Sequence, residues 1–321
     1  MYEKQLGGRT LLSDKTVIRR FAPSAGRGHE AWEYLLLAVT VLAASAVFFI
    51  AAFVAWEGWP ALKQIGFFEF VFGKTWSPTT GFYGILPIIA GTLAVAGVTL
   101  ILAIPVSIGT AAFLTEYSPR WARPIVRKTV DLLSGIPSVV YGLFGMTTLV
   151  PLIRRLELAT IPRGAPAYLM AGYSVLAASV VLAVMIAPTV ISISCDALKS
   201  VPSEYREGSL GLGATRWQTL TRVTLPVAAP GILTGIILGT GRAIGETMAV
   251  LMVAGNAPLF PTSLFAPVRT LTANIAAEIG YATGLHESAL FADGVVLFFL
   301  IIVLDSLALW VRRKAARTQG R

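Results

Sequence analysis

The sequence predicts an all-α, polytopic transmembrane helical bundle with about six spans, and three observations carry that reading. Hydrophobic residues fill 55% of the 321 positions and charged residues only 13%, roughly half the charge of an ordinary soluble domain. The apolar residues come in runs of twenty or more, enough to cross roughly 30 Å of hydrocarbon as helix; the short alternating segments of a transmembrane barrel do not stand out. Lys and Arg gather in alternate connectors, the pattern that orients helices across a bilayer.

Taken in order, residues 1–30 form a polar, basic N-terminal segment, and 31–56 the first span. That apolar run is too long and too late for the core of a cleaved signal peptide, so it reads as an uncleaved helix. Loop 57–83 follows, then a core of five spans over 84–311, near 84–114, 130–152, 168–193, 228–253 and 289–311, and a basic tail, 312–321. The second span is too long for one straight crossing and holds Pro87 and Pro105, which predicts a tilt, kink or break. With the N-terminus inside, nineteen of the 26 Lys and Arg residues fall in inside segments and six outside, leaving Arg242 within a span. Both termini are therefore expected to be cytoplasmic.

The net charge of +9 does not signal nucleic acid, because the basic residues lie between apolar runs. One cysteine, Cys195, excludes an internal disulfide framework and a cysteine-rich metal site. His286-Glu287 lacks the second histidine of a zinc hydrolase helix, since position 290 is Leu. Gly73-Lys74-Thr75 lacks the earlier glycine of a phosphate-binding loop, Phe68 standing there. No catalytic constellation emerges, so the chain is expected to bind no cofactor and to perform no chemistry. The loops 57–83 and 254–288 carry aromatics, with Trp56 at the edge of the first: Trp59, Phe67, Phe68, Phe70, Phe72, Trp76, Phe260, Phe265 and Tyr281. An interfacial belt and a docking surface are both open readings.

Connector 194–228 is the most informative stretch. It holds Glu207-Gly208-Ser209, Gly213 after three residues, and Val223-Thr224-Leu225-Pro226 after nine more. Small residues at Gly208 and Ser209 allow close approach by another protein, Gly213 permits a left-handed turn, and Pro226 suits the first turn of the next span. In that span Gly231, Gly235 and Gly239 recur every four residues, flattening one face for a neighbouring helix. Gly235, Gly239, Arg242 and Glu246 would share a stripe about 60° wide, facing a translocation path or a partner subunit. An arginine near mid-membrane costs roughly 2.5–3.5 kcal/mol. Two readings remain open: Glu246 neutralises Arg242 as a local i,i+4 pair, or Arg242 is a fixed cation that lowers the barrier for an anion. Pro137, Ser138 and Gly142 interrupt the third span, as a gate or as a packing kink; Pro188 in the fourth admits the same two readings. Asp305 is expected to be hydrated at the inner interface or paired with another span, and Asp293 to sit at its helix N-terminus.

The acid–small–small, x3, Gly, x9, Val-x-Leu-Pro spacing of 207–226 resembles the signature of ABC importer permeases, with Gly-Ser and Val in place of the usual Ala-Ala and Ile. The run Gly241-Arg242-Ala243-Ile244-Gly245-Glu246-Thr247-Met248-Ala249-Val250, with Gly255-Asn256, resembles the PstC family of phosphate permeases. So do Pro105–Gly109, Phe113–Glu116 and Ile136–Gly142. The resemblance implies a MetI-like type I importer permease, within the CysTW-like group of binding-protein-dependent permeases, in a bacterial inner membrane. It implies that Glu207, Gly208, Ser209, Gly213, Val223, Leu225 and Pro226 couple the chain to a separate ATPase, and that Arg242 and Glu246 serve transport. The implied partners are a PstA-like second permease, two PstB-like ATPase subunits using ATP–Mg, a PstS-like phosphate-binding protein, and membrane lipid. Another oxyanion (sulfate, molybdate, phosphonate) is the alternative cargo. An ion-coupled secondary transporter would call for inverted repeats and more intramembrane ionisable residues.

Overall fold

The computed structural model describes residues 27–162 and 166–319. Most of the N-terminal basic segment, Arg163 and Arg321 lie outside those residues. The chain falls into two compact units, residues 1–53 and 54–321. In the first, the described residues belong to helix α1 (Arg27–Ile65). Its apolar side chains are exposed there, with Leu42, Phe48 and Phe49 among them. Its hydroxyls turn back on the helix's own carbonyls, Thr40 to Leu36 at 2.8 Å and Ser45 to Leu42 at 2.8 Å. Such a surface suits lipid, where a polar group must find its partner internally.

The second unit contains the rest. After α1 come α2 (Phe67–Phe72), a two-stranded antiparallel hairpin of β1 (Trp76–Ser77) and β2 (Phe82–Tyr83), and α3 (Leu86–Ala112). Then follow α4 (Ala122–Ser134), α5 (Ser138–Phe144), α6 (Val150–Thr160) and α7 (Val175–Lys199). The short helices α8 (Ser203–Gly211) and α9 (Arg216–Thr219) precede α10 (Leu225–Gly245). Last are α11 (Met248–Val253), α12 (Leu271–Glu278) and α13 (Leu285–Gln319).

Among the described residues six helices are long and apolar enough to cross a membrane: 32–65, 86–117, 138–160, 167–199, 216–245 and 285–314. The expected number is therefore met, but boundaries move: the first span runs on to 65, the third to 160 and the fifth starts at 216, and two further shifts have a local cause. The third span begins at Ser138 rather than near 130, because Pro137 is extended (ψ 140°) and α4 ends at Ser134; a proline also disfavours helix in the residue before it. The fifth ends at Gly245 rather than near 253, because Glu246 is extended (ψ 128°) and α11 starts a new helix. Conversely, α3 runs unbroken through Pro105 and α7 through Pro188.

Three π turns lengthen these helices: Phe113–Tyr117, Gly145–Leu149 and Leu220–Thr224. In each, the next residue donates its N–H five residues back, Ser118 to Phe113, Val150 to Gly145 and Leu225 to Leu220. Each such residue is followed by a proline, Pro119, Pro151 and Pro226. A proline has no N–H and its ring crowds the carbonyl four residues earlier; the wider turn removes that conflict. Pro226 therefore stands in the first turn of α10, as expected, but α10 continues one helical run, 216–245, through the π turn.

The centre of the second unit is packed by α3 and α7, with Val95, Ala103, Leu182, Met185 and Ile186 buried. Lipid tails are as apolar as leucine, so close packing and interhelical hydrogen bonds must hold such a pair. Ser179 donates to the Val95 carbonyl at 3.2 Å, and Thr99 returns a 3.5 Å bond to the Ser179 carbonyl.

Candidate functional site

The glycines of the fifth span pack against the fourth. A Cβ on Gly231 would lie 2.5 Å from Ala197 Cβ, on Gly235 3.1 Å from Ile193 Cβ, and on Gly239 2.9 Å from Val190 Cγ2. Close packing of a neighbouring helix is thus as expected, but that neighbour is α7 of the same chain, so the glycine face is not free for a partner. Arg242 continues along this contact, its Nη1 donating to Thr189 Oγ1 on α7 at 3.3 Å.

Glu246 does not neutralise Arg242. No ion pair joins them among the described residues. The helix has ended one residue before Glu246, so the i,i+4 geometry is absent. The Glu246 carboxylate instead accepts the Ala249 N–H at 3.1 Å, serving the start of α11. Its main-chain carbonyl accepts from Thr272 Oγ1 at 2.9 Å. An extended residue inside a span leaves backbone groups without helical partners, and such a break needs protein or a cavity around it; the side chains of Glu246 and Thr272 fill part of that need.

The interruption of the third span meets the interruption of the fifth. Pro137 and Ser138 start α5, and Tyr141 Oη donates to the Leu133 carbonyl at 2.8 Å, tying the new helix to α4. Gly142 faces α11: a Cβ there would come within 3.0 Å of Ala249 Cα and 2.8 Å of Met252 Sδ. Tyr141 also lies within electrostatic reach of Arg242. Residues 137–142, 242 and 246–252 thus form one neighbourhood, two broken spans with a cation beside them.

The 200–226 connector folds as a hairpin. Gly213 adopts φ +84° between α8 and α9, and Thr215 caps α9 in a reciprocal capping box with Gln218, at 3.2 and 2.8 Å. Ser209 and Thr219 share a 3.0 Å hydrogen bond across the turn. Arg206 anchors the hairpin, forming an ion pair with Glu116 at 2.9 Å and donating to the Leu198 carbonyl at 2.7 Å. Glu207, Gly208 and Gly213 are exposed and Ser209, Val223 and Leu225 half-buried. A Cβ on Gly208 would touch nothing within 4 Å. Tyr205, Leu210, Leu212 and Trp217 are exposed, Leu212 by 91%. A 9-residue helix with no buried side chain contributes little to this chain's own packing.

A polar network near the start of α13 was not foreseen. Glu278 accepts from Trp76 Nε1 at 3.0 Å, meets His286 Nε2 at 2.9 Å and pairs with Arg269. Arg269 also donates to Asn274 Oδ1 at 3.0 Å and to the Asn256 carbonyl at 3.1 Å. Burial alone would raise the Glu278 carboxyl, but hydrogen bonds from His286, Trp76 and Arg269, with the Arg269 charge, hold it below the usual range. Asp293 is not at its helix end. It lies eight residues into α13, fully buried, accepting from Asn274 Nδ2 at 2.9 Å. Phe70 and Trp76, expected among surface aromatics, are buried at 0% and 5%, whereas Trp59, Phe68 and Tyr281 are exposed.

With this geometry established, comparisons with known proteins fix the lineage. Residues 103–317 match the family model described as the binding-protein-dependent transport system inner membrane component. The phosphate transport system permease protein PstC of Mesorhizobium japonicum is 36% identical over 317 residues, 95% of each chain. The probable ABC transporter permease protein YqgH of Bacillus subtilis is 40% identical over 279 residues, 82% of this chain and 87% of that one. Among solved structures, a bacterial ABC transporter for the acidic polysaccharide alginate aligns with TM-score 0.61 at 20% identity, covering 90% of this chain and 99% of that one. The MetNI methionine transporter, in an inward-facing conformation, aligns at 0.52 and 21% identity, covering 70% and 93%. These last two speak to the fold. The chain belongs to the binding-protein-dependent importer permeases, among the relatives called PstC.

Proposed function

We propose that this chain is one of two permease subunits of an ATP-driven phosphate importer in a bacterial inner membrane, with both termini cytoplasmic. A PstA-like subunit completes the path, a PstS-like protein delivers phosphate, and two PstB-like subunits hydrolyse ATP–Mg. This chain performs no chemistry of its own. It alternates access, driven through the 200–226 hairpin, whose exposed Tyr205, Leu212 and Trp217 supply the apolar surface that a cleft in the motor would cover.

The observation that carries this reading is that Arg242 rests on a neutral partner, Thr189, beside two broken spans. A cation neutralised by a carboxylate would offer an anion little. Arg242 keeps guanidinium donors for two phosphate oxygens, a geometry that guanidinium suits better than ammonium. Glu246 supplies selectivity: its carboxylate can accept a hydrogen bond from the P–OH of HPO4²⁻ but repels sulfate, which has no hydroxyl to donate. The phosphate assignment draws on the relatives called phosphate permeases.

Reconstitution with the three partners tests this. Phosphate-loaded binding protein should stimulate ATP hydrolysis and uptake, and Arg242→Ala should abolish uptake while leaving assembly intact. Unchanged uptake in Arg242→Ala would refute the anion path. Equal turnover with sulfate would remove the role given to Glu246.

A further inference from the structure

Beside the base of the hairpin, α4 leaves a crevice of about 260 Å³ against the ends of the second and fourth spans. Leu114, Val130 and Ile191 give it apolar walls, and Arg123, Arg127 and Lys199 stand along it. Arg123 is fixed by carbonyls, its Nε bonded to Ser118 at 3.0 Å and its Nη2 to Thr115 at 2.9 Å. Neither partner carries a charge, so the guanidinium remains a full cation with donors to spare. Arg127 meets Asp196 at 3.1 Å, an ion pair in which both side chains are about half exposed. Lys199 joins no ion pair among the described residues. Three cations thus face two carboxylates around an apolar cleft, Asp196 and the Asp131 that accepts from the lining Ser192 at 3.4 Å, and a net positive charge remains.

The surroundings say which anion fits. Trp121, Ile125 and Leu132, on and just before α4, expose 73%, 58% and 74% of their surface. In water such exposure would be costly; at a membrane boundary it is what an interfacial amphipathic helix presents. The crevice therefore opens where hydrocarbon gives way to headgroups. A free phosphate dianion would satisfy the cations but leave Leu114, Val130 and Ile191 uncovered. A phospholipid satisfies both, its phosphodiester on the guanidinium groups and an acyl chain along the apolar wall.

We propose that this crevice binds an acidic phospholipid. Basic pockets between transmembrane helices are suited to such headgroups, and a zwitterionic lipid would set its own ammonium against the three cations. The site touches the machinery of the hairpin. Lys199 is the last residue of α7, one position beyond Leu198, whose carbonyl holds Arg206; Thr115 and Glu116 are adjacent in the same π turn. A bound lipid would brace the joint through which the hairpin meets the spans. The binding claim does not depend on which cargo the transporter carries.

Native mass spectrometry of the delipidated full chain in neutral detergent tests the proposal, with phosphatidylglycerol, phosphatidylethanolamine or inorganic phosphate added separately. Phosphatidylglycerol should be retained well above phosphatidylethanolamine. Lys199→Gln, which disturbs no ion pair, should lower that retention roughly fivefold, and Arg123→Gln with Arg127→Gln should lower it further. Equal retention of the two lipids, or a preference unchanged in Lys199→Gln and in the double variant, would overturn the site. Displacement of phosphatidylglycerol by millimolar inorganic phosphate would also overturn it, identifying the ligand as a free anion.

Discussion

Thr272 Oγ1 donates a 2.9 Å hydrogen bond to the main-chain carbonyl of Glu246, fastening α12 to the break in the fifth span. Thr272→Val keeps the shape and removes the donor, which should cost about 1 kcal/mol of stability. It should also lower phosphate uptake severalfold, because the Glu246 peptide is no longer held. Thr272→Ser should restore both. If the valine variant melts and transports like wild type, this contact has no part in shaping the break.

Two glycines separate packing from docking. At Gly231 an added methyl would lie 2.5 Å from Ala197 Cβ, whereas at Gly208 it would meet nothing within 4 Å. Gly231→Ala should destabilise the purified chain by about 1–3 kcal/mol, the range for an overpacked contact. Gly208→Trp should melt as wild type yet lose ATPase stimulation in the assembled importer, since the space it fills belongs to the partner, whereas Gly208→Ala, the residue usual in the importer signature, should keep it. Thermal unfolding and ATP hydrolysis read the two effects apart.

Glu278 gives a pH dependence with a definite sign. Its carboxyl is held below the ordinary range, so its network stabilises the fold above the unfolded carboxyl pKa, about 4.3. That contribution is lost as pH falls through the lower folded value. Stability measured from pH 7 down to 3 should therefore fall more steeply in wild type than in Glu278→Gln, which is weaker at neutral pH. Parallel curves would mean that the network is not anchored by this charge.

Topology can be read with one added thiol at a time. Cys195 is buried, so its background should be low, while Leu212 and Tyr281 are 91% and 68% exposed. A membrane-impermeant maleimide should label Tyr281→Cys on intact cells, and Leu212→Cys only after permeabilisation. The reverse pattern would place the hairpin on the wrong face for a cytoplasmic motor.

Much of the bundle was legible because hydrophobic runs depend on local composition, and the hairpin because Gly213 and the residues around it follow local turn chemistry. The ends of the third and fifth spans were not. Residues 248–253 are as apolar as the helix before them, and it is the extended backbone of Glu246, with its carboxylate capping Ala249, that shows a second helix beginning there. Thr189 and Thr272 were invisible for a related reason. Several intramembrane threonines here, such as Thr110, Thr147 and Thr240, bond the carbonyl four residues back. Nothing in sequence distinguishes these from the ones that reach across, Thr99 among them. The Arg269–Glu278–His286–Trp76 network spans more than 200 positions, and no periodicity reports a contact of that separation.

The π turn at Leu220–Thr224 stores one surplus residue between the hairpin and Arg242. If that surplus migrates along the span, every side chain it passes swivels by about 100°, the angular step of one helical residue. Beyond Pro226 and Pro230, which donate no N–H, the spine would keep its hydrogen bonds, exchanging five-residue links for four-residue ones. Torque applied below could thus re-aim a guanidinium several turns above without the rod bending at all.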